Sequence, residues 1–157
     1  MKYKFTDVTI EYAGRTLHRI ECVEAFSNIK VGEKGGYIEK ESNLSHYGNA
    51  WVGDNAQVYG KAQVCNNAQV CGDALVYGDA WVYGDAQVYG DADYIVFKNN
   101  WSSGRYFTWT RSNDMWKVGC FYGTGEELIK KAYADSENSG KHYEAYVKFV
   151  EQLKELK

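Results

Sequence analysis

"AWVYGDAQVYGDAD", residues 80–93, spells nearly the same six letters twice. Its Ala, Val, Tyr and Gly each return six positions later. The register runs back to Leu44 as LSHYGN, AWVGDN, AQVYGK, AQVCNN, AQVCGD, ALVYGD, AWVYGD and AQVYGD, eight hexads ending at Asp91. Seven of them begin with Ala and carry Val third, at Val52, Val58, Val64, Val70, Val76, Val82 and Val88. Alternate side chains of a strand share a face, so Ala and Val point inward, while the second and fourth positions point outward. On this register His46 takes the inward third place of the first hexad.

The fifth position sets the period. It reads Gly48, Asp54, Gly60, Asn66, Gly72, Gly78, Gly84 and Gly90, all residues that tolerate positive φ. A corner therefore follows each short strand. A helix of period 3.6 would scatter these glycines around its barrel and be weakened by them. Strand–corner units of one length wind into a solenoid whose coils stack at about 4.8 Å. So short a prism exposes two open edges, and its flanking segments are expected to cap them.

The hexad resembles the hexapeptide repeat of the left-handed β-helix, in which an aliphatic residue is followed four positions later by a small one, as Val58 is by Ala62 and Val76 by Ala80. That resemblance implies three hexads per coil, so residues eighteen apart stack, and a left-handed winding against the usual crossover rule. The family usually places Gly directly after the aliphatic residue, whereas here Tyr or Cys stands there and Gly comes one later. The implied stacking sets Lys61 on Asp79, Asp73 beneath Asp91, and Tyr47, Cys65 and Tyr83 in one outward column. The segments GGYI (35–38), NLS (43–45) and GNAWV (48–52), with the VYGDA repeats, resemble phage- and prophage-encoded hexapeptide-repeat proteins. This second resemblance implies a mobile-element origin.

The flanks complete the expected architecture. VTIEY, a turn at Ala13-Gly14 and RTLHRIECV read as a hairpin, with GEKGGYIEKESNLS a loop into the first coil. After Asp91 the period stops. YIVFK, GRYFTWT and MWKVGCFY read as three strands, with a turn at Ser112-Asn113-Asp114. Thr124-Gly125-Glu126-Glu127 has the form of a capping box opening the helix EELIKKAYADS. A second helix, HYEAYVKFVEQLKELK, carries Tyr143, Tyr146, Val147, Val150 and Leu153 on one stripe. The expected fold is mainly β: a short three-sided left-handed β-helix (44–93) between an N-terminal β-hairpin cap (1–43) and a C-terminal α/β cap (94–157).

Composition bounds the function. A net charge of -3 with scattered Lys and Arg does not recruit the chain to nucleic acid or an anionic membrane surface. No apolar run approaches the ~20 residues of a membrane span, and MKYKFTDVTIEY lacks a signal-peptide core. Cys22, Cys65, Cys71 and Cys120 form no zinc pattern and read as free thiols in a reducing cytoplasm. No metal or other cofactor is expected.

The left-handed β-helix resemblance brings acyltransferases into view, enzymes that use a His base near a subunit interface. His18 falls in a cap strand, His142 at a helix start, and His46 reads as a capping residue, so no catalytic residue is assigned. GTGEE (123–127) lacks the Lys-Ser/Thr of a phosphate loop. The corner acids lie on different edges without a calcium pattern. What remains is the outward aromatic surface: Trp51 and Tyr89 on one face, Tyr59, Leu75 and Tyr77 on a second, Trp81 and Tyr83 with Tyr47 on the third. Aromatics stacked on rigid strands are the composition of a protein interface. The expected function is a non-catalytic, oligomeric binding protein that occludes a host macromolecule, such as an anti-CRISPR-like antagonist. The alternatives are an acyltransferase and a sponge for a nucleotide signal.

Overall fold

Two-residue strands separated by left-handed corners make up the centre of the computed structural model, which describes residues 1–156. Before them come β1 (Tyr3–Tyr12), β2 (Arg15–Cys22) and β3 (Lys34–Ile38). The repeat supplies β4 (Trp51–Val52), β5 (Gln57–Val58), β6 (Gln63–Val64), β7 (Gln69–Val70), β8 (Leu75–Val76), β9 (Trp81–Val82) and β10 (Gln87–Val88). Then follow β11 (Tyr94–Lys98), β12 (Tyr106–Thr110), β13 (Met115–Val118), β14 (Phe121–Gly123), α1 (Gly125–Asp135) and α2 (Glu137–Glu155).

The repeat strands form three parallel ladders, β4–β7–β10, β5–β8 and β6–β9. Partners are 18 residues apart in each: Trp51 with Gln69 and Gln69 with Gln87, Gln57 with Leu75, Gln63 with Trp81. Every repeat Ala is at most 1% exposed and every repeat Val 0%, so the first and third positions fill the interior. Seven fifth-position residues have φ between +53° and +69°. Gly90, the eighth, is extended at φ -165° because the chain leaves the coil there for a 3-10 turn, Asp91–Asp93.

The first hexad departs from the expected register. Leu44 pairs with Val64 and Ile38 with Val58, offsets of twenty rather than eighteen. Leu44 thus fills a Val position, and the solenoid begins at Ile38. Its inward residues are Ile38, Leu44 and Val52, then Val58, Val64 and Val70, then Val76, Val82 and Val88, three layers of three, all at most 1% exposed. The two surplus residues lie between Leu44 and Gly48. They turn His46 out of the interior to stack on Tyr3 at 4.0 Å, and leave Tyr47 86% exposed, outside the column of Cys65 and Tyr83.

The N-terminal hairpin turns at Ala13 and Gly14, both at positive φ, as a two-residue hairpin loop requires. The segment expected as a loop instead contains β3, which pairs antiparallel with β2 and parallel with β5. Its two glycines explain why it looked like a turn. A Cβ on Gly35 would sit 2.6 Å from the Val52 carbonyl, and one on Gly36 2.6 Å from that of Ala56. Gly here permits close backbone approach, not a bend. One continuous core runs from Tyr3, Ile20 and Cys22 through all coils.

The C-terminal sheet has four strands, ordered β11-β12-β13-β14, not three. MWKVGCFY breaks into two at Gly119 (φ +54°), so that Val118 faces Phe121 across a tight turn. Phe107, Trp109, Trp116 and Val118 pack with the helices in a second core, while the alternate residues Thr108 and Lys117, also buried, meet the solenoid. The capping box forms as expected, Thr124 and Glu127 each accepting the other's backbone N–H. The second helix starts earlier than expected, at Glu137 with Ser136 as its N-cap, and ends at Glu155; the expected last residue, Lys157, lies outside the described residues.

Candidate functional site: a tyrosine-lined recess

Between coils, backbone N–H groups donate toward the C-terminal end: Trp51 to Ala68, Gly53 to Val70, Gln63 to Ala80, Cys71 to Val88. One end of the solenoid is therefore a rim of bare acceptors and the other a rim of bare donors, and each cap supplies the missing chemistry. Toward the acceptor rim, β3 carries the same pattern into the first coil, Tyr37 and Glu39 donating backbone N–H groups to Ala56 and Val58. The buried Asn43 amide donates to Ala62 at 2.9 Å, and the Lys2 ammonium to Ala50 at 2.6 Å. At the donor rim, Thr108 Oγ1 accepts from Trp81, Ser112 Oγ from Gln87, and Asp93 Oδ2 from Tyr89.

The caps also cover much of the outward aromatic surface. Trp51 is 4% exposed, with Phe26 edge-on at 5.5 Å. Tyr59 is 8% exposed, beneath Tyr12 and the Arg15 guanidinium from the hairpin tip. Lys117 is wedged over both Trp81 and Tyr83, at 4.4 and 4.3 Å from the ring centres. Leu75 is half-buried, its carbonyl receiving the Tyr94 hydroxyl at 2.9 Å. Of the eight aromatic and Leu residues expected outward on the coil faces, only Tyr77, Tyr89 and the displaced Tyr47 remain open. The expected broad aromatic surface is thus largely consumed in docking the caps.

What stays open continues from Tyr77. Tyr59 and Tyr77 stack at 5.3 Å with planes 7° apart. Beyond Tyr77 a recess of about 500 Å³ is bounded by Asp79 and Asp91 from the coil corners and by Tyr94, Ile95, Val96 and Tyr106 from the C-terminal sheet. Tyr77 and Tyr106 are about half exposed across it. Burial pushes the Tyr94 phenol up to about 12, with nearby Tyr77 and Asp91 adding to the shift, so it stays a neutral donor. Tyr77 directly follows β8 and Tyr106 opens β12, so both rings are placed by hydrogen-bonded strands rather than by long loops.

The sequence reading missed Tyr94, Tyr106 and Trp101. Trp101 is 75% exposed on the β11–β12 loop, which the buried Asn99 holds through its own side chain: Oδ1 accepts from Trp101 and Ser102, and Nδ2 donates to Ser102 Oγ. A lone Trp in a polar run, NNWSSG, was the available signal.

The three histidines each contact neighbouring structural elements. His46 Nδ1 accepts the Lys2 backbone N–H at 3.1 Å, which puts the neutral ring's proton on Nε2. Nε2 is buried without a hydrogen-bond partner, and the ring stacks on Tyr3 of the N-terminal hairpin. His18 stacks on Phe5, and His142 Nδ1 lies 2.7 Å from the Asn138 carbonyl. The stacked Lys61 and Asp79 form no ion pair within 4.0 Å. All four cysteines are free, and among the described residues no group of three or more His, Cys, Asp or Glu is arranged to hold a metal. No helix among them is long and apolar enough to cross a membrane.

Parallel ladders in fixed register, closed at both rims, define a repeat β-solenoid protein. In agreement, residues 68–84, which span β7 to β9, match the family model described as YdcK beta solenoid repeat. No curated protein matches the chain.

Proposed function

We propose that this is a non-catalytic binding protein of phage or prophage origin that works in the cytoplasm by covering part of a host macromolecule, as an anti-CRISPR-like antagonist does. We read its solenoid as three-sided and left-handed, on the resemblance of its hexads to that repeat. The observation that carries the binding reading is the pairing of two half-exposed tyrosines, Tyr77 and Tyr106, across a recess built on rigid strands. Neither ring enters the Ala/Val interior, and large rings held open at fixed positions are the composition of interface anchors. An oligomer placing the same face against a second copy is the form this reading predicts for the free protein.

The test is capture from host lysate, compared between the wild type and Tyr77→Ala with Tyr106→Ala. Loss of a captured macromolecule, with melting and ellipticity unchanged, supports the reading. A double variant that keeps every partner and its wild-type sedimentation overturns it.

A further inference from the structure

We infer that the recess of Tyr77, Asp79, Asp91, Tyr94 and Tyr106 takes an arginine side chain from a basic segment of a protein partner; this rests on the reading of that face as the working surface. The first support is charge. Asp79 and Asp91 border the recess, and among the described residues neither is in an ion pair. Asp73, also exposed, stands one coil before Asp91 and repeats the negative charge along the same edge. Lys61 lines the adjoining groove with Asp79 but leaves it unpaired.

The second support is the chemistry this chain already uses on its aromatic rings. The Arg19 guanidinium lies 4.4 Å from the centre of Tyr37, Arg15 5.6 Å from Tyr59, Lys98 5.3 Å from Tyr106 and Lys117 between Trp81 and Tyr83. Tyr77 has Tyr59 stacked on it and no cation of its own. A ring quadrupole attracts a cation over its face, and two carboxylates beside it strengthen that attraction. A planar guanidinium stacks on a phenol and offers several donors to carboxylates, which an ammonium cannot match. The same charges repel phosphate, which argues against a nucleic-acid occupant.

The probe is a short Gly-Arg repeat peptide blocked at both ends, titrated calorimetrically at low and high salt, with Gly-Lys and Gly-Glu counterparts. The Arg peptide is expected to bind tightest and the Glu peptide not at all, with affinity falling as salt rises. Asp79→Asn with Asp91→Asn should weaken Arg-peptide binding at least about tenfold. The control pair Asp135→Asn with Glu137→Gln, on the helices, should leave it unchanged. No binding of the Arg peptide, an equal loss in both pairs, or preference for the Glu peptide overturns the inference. Lysate capture that needs Tyr77 and Tyr106 but not the two acids discards the arginine and keeps the surface. Capture indifferent to the tyrosines discards both.

Discussion

Lys2 and Asp93 close the same parallel ladder from opposite ends. The Lys2 ammonium donates to the Ala50 carbonyl before β4, and the Asp93 carboxylate accepts the Tyr89 N–H after β10. Between them every bond of the β4–β7–β10 ladder points the same way. A cation stands where acceptors are bare and an anion where donors are bare, so the two charges complete a row of aligned dipoles.

Burial pulls the Lys2 ammonium down from its ordinary range to about 8. Between about pH 8 and the unfolded value near 10.4, the unfolded chain then holds more proton than the folded one, so stability rises with pH across that window. Below it the cost of burying the charge is fully present. Comparing denaturation midpoints of wild type and Lys2→Met at pH 7 and 9.5 should show wild type gaining on the order of 1–3 kcal/mol relative to the variant. A constant difference would mean that the ammonium is not desolvated.

The glycines separate two kinds of constraint. Gly35→Ala drives a Cβ against the Val52 carbonyl and Ile20, and should cost about 2–3 kcal/mol through overpacking. Gly78→Ala meets open space but must hold φ at +66°, a strain of about 1 kcal/mol. Gln63→Val, exposed in mid-strand, should change stability by less than about 0.5 kcal/mol. Melting curves of the three variants give the order directly.

The repeat was legible because its physics is local. Each Ala, Val and corner residue answers to its own hexad, and the interior and the corners followed from that alone. The first coil was misread because Leu44 and His46 are two positions apart, and only pairing with Val64 decides which one fills the interior. β3 was hidden because GGYI carries turn residues whose purpose is close approach to a strand some twenty residues on. The recess was invisible for the same reason: Tyr77 and Tyr106 belong to separate units, and no periodicity links them. Trp51 and Tyr59 are buried under the N-terminal cap, and which element lies over a repeat side chain is a long-range fact.

Lys117 joins the C-terminal cap to the coil by lying over Trp81 and Tyr83 while its strand's Trp116 packs toward the helices. Lys117→Ala removes a largely buried cation–π contact on two rings and should cost about 2 kcal/mol. Hydrogen exchange should locate the loosening at Thr108 and Trp81, leaving β4 and β5 protected as before. A variant that unfolds the whole chain uniformly would show that the cap is not a separable unit.

Asn99 and Trp101 should behave oppositely. Asn99→Ala leaves the Trp101 and Ser102 N–H groups without their acceptor, and should destabilise the loop by about 1–3 kcal/mol. Trp101→Ala removes an exposed ring and should stay within about 0.5 kcal/mol of wild type. Near-ultraviolet ellipticity together with thermal melting distinguishes the two outcomes.

One-way bonding along the coils also fixes how this molecule can change length. Thr108, Ser112 and Asp93 are aimed at the N–H groups of Trp81 in β9, Gln87 in β10 and Tyr89 just after it. Adding or deleting a single hexad would turn the donor rim by one ladder, and each of these oxygens would face the wrong strand. Eighteen residues, a full coil, is the smallest insertion that returns every donor to its acceptor. The protein is thus built to grow by whole storeys, and a chain with two-thirds of a storey would need a new roof.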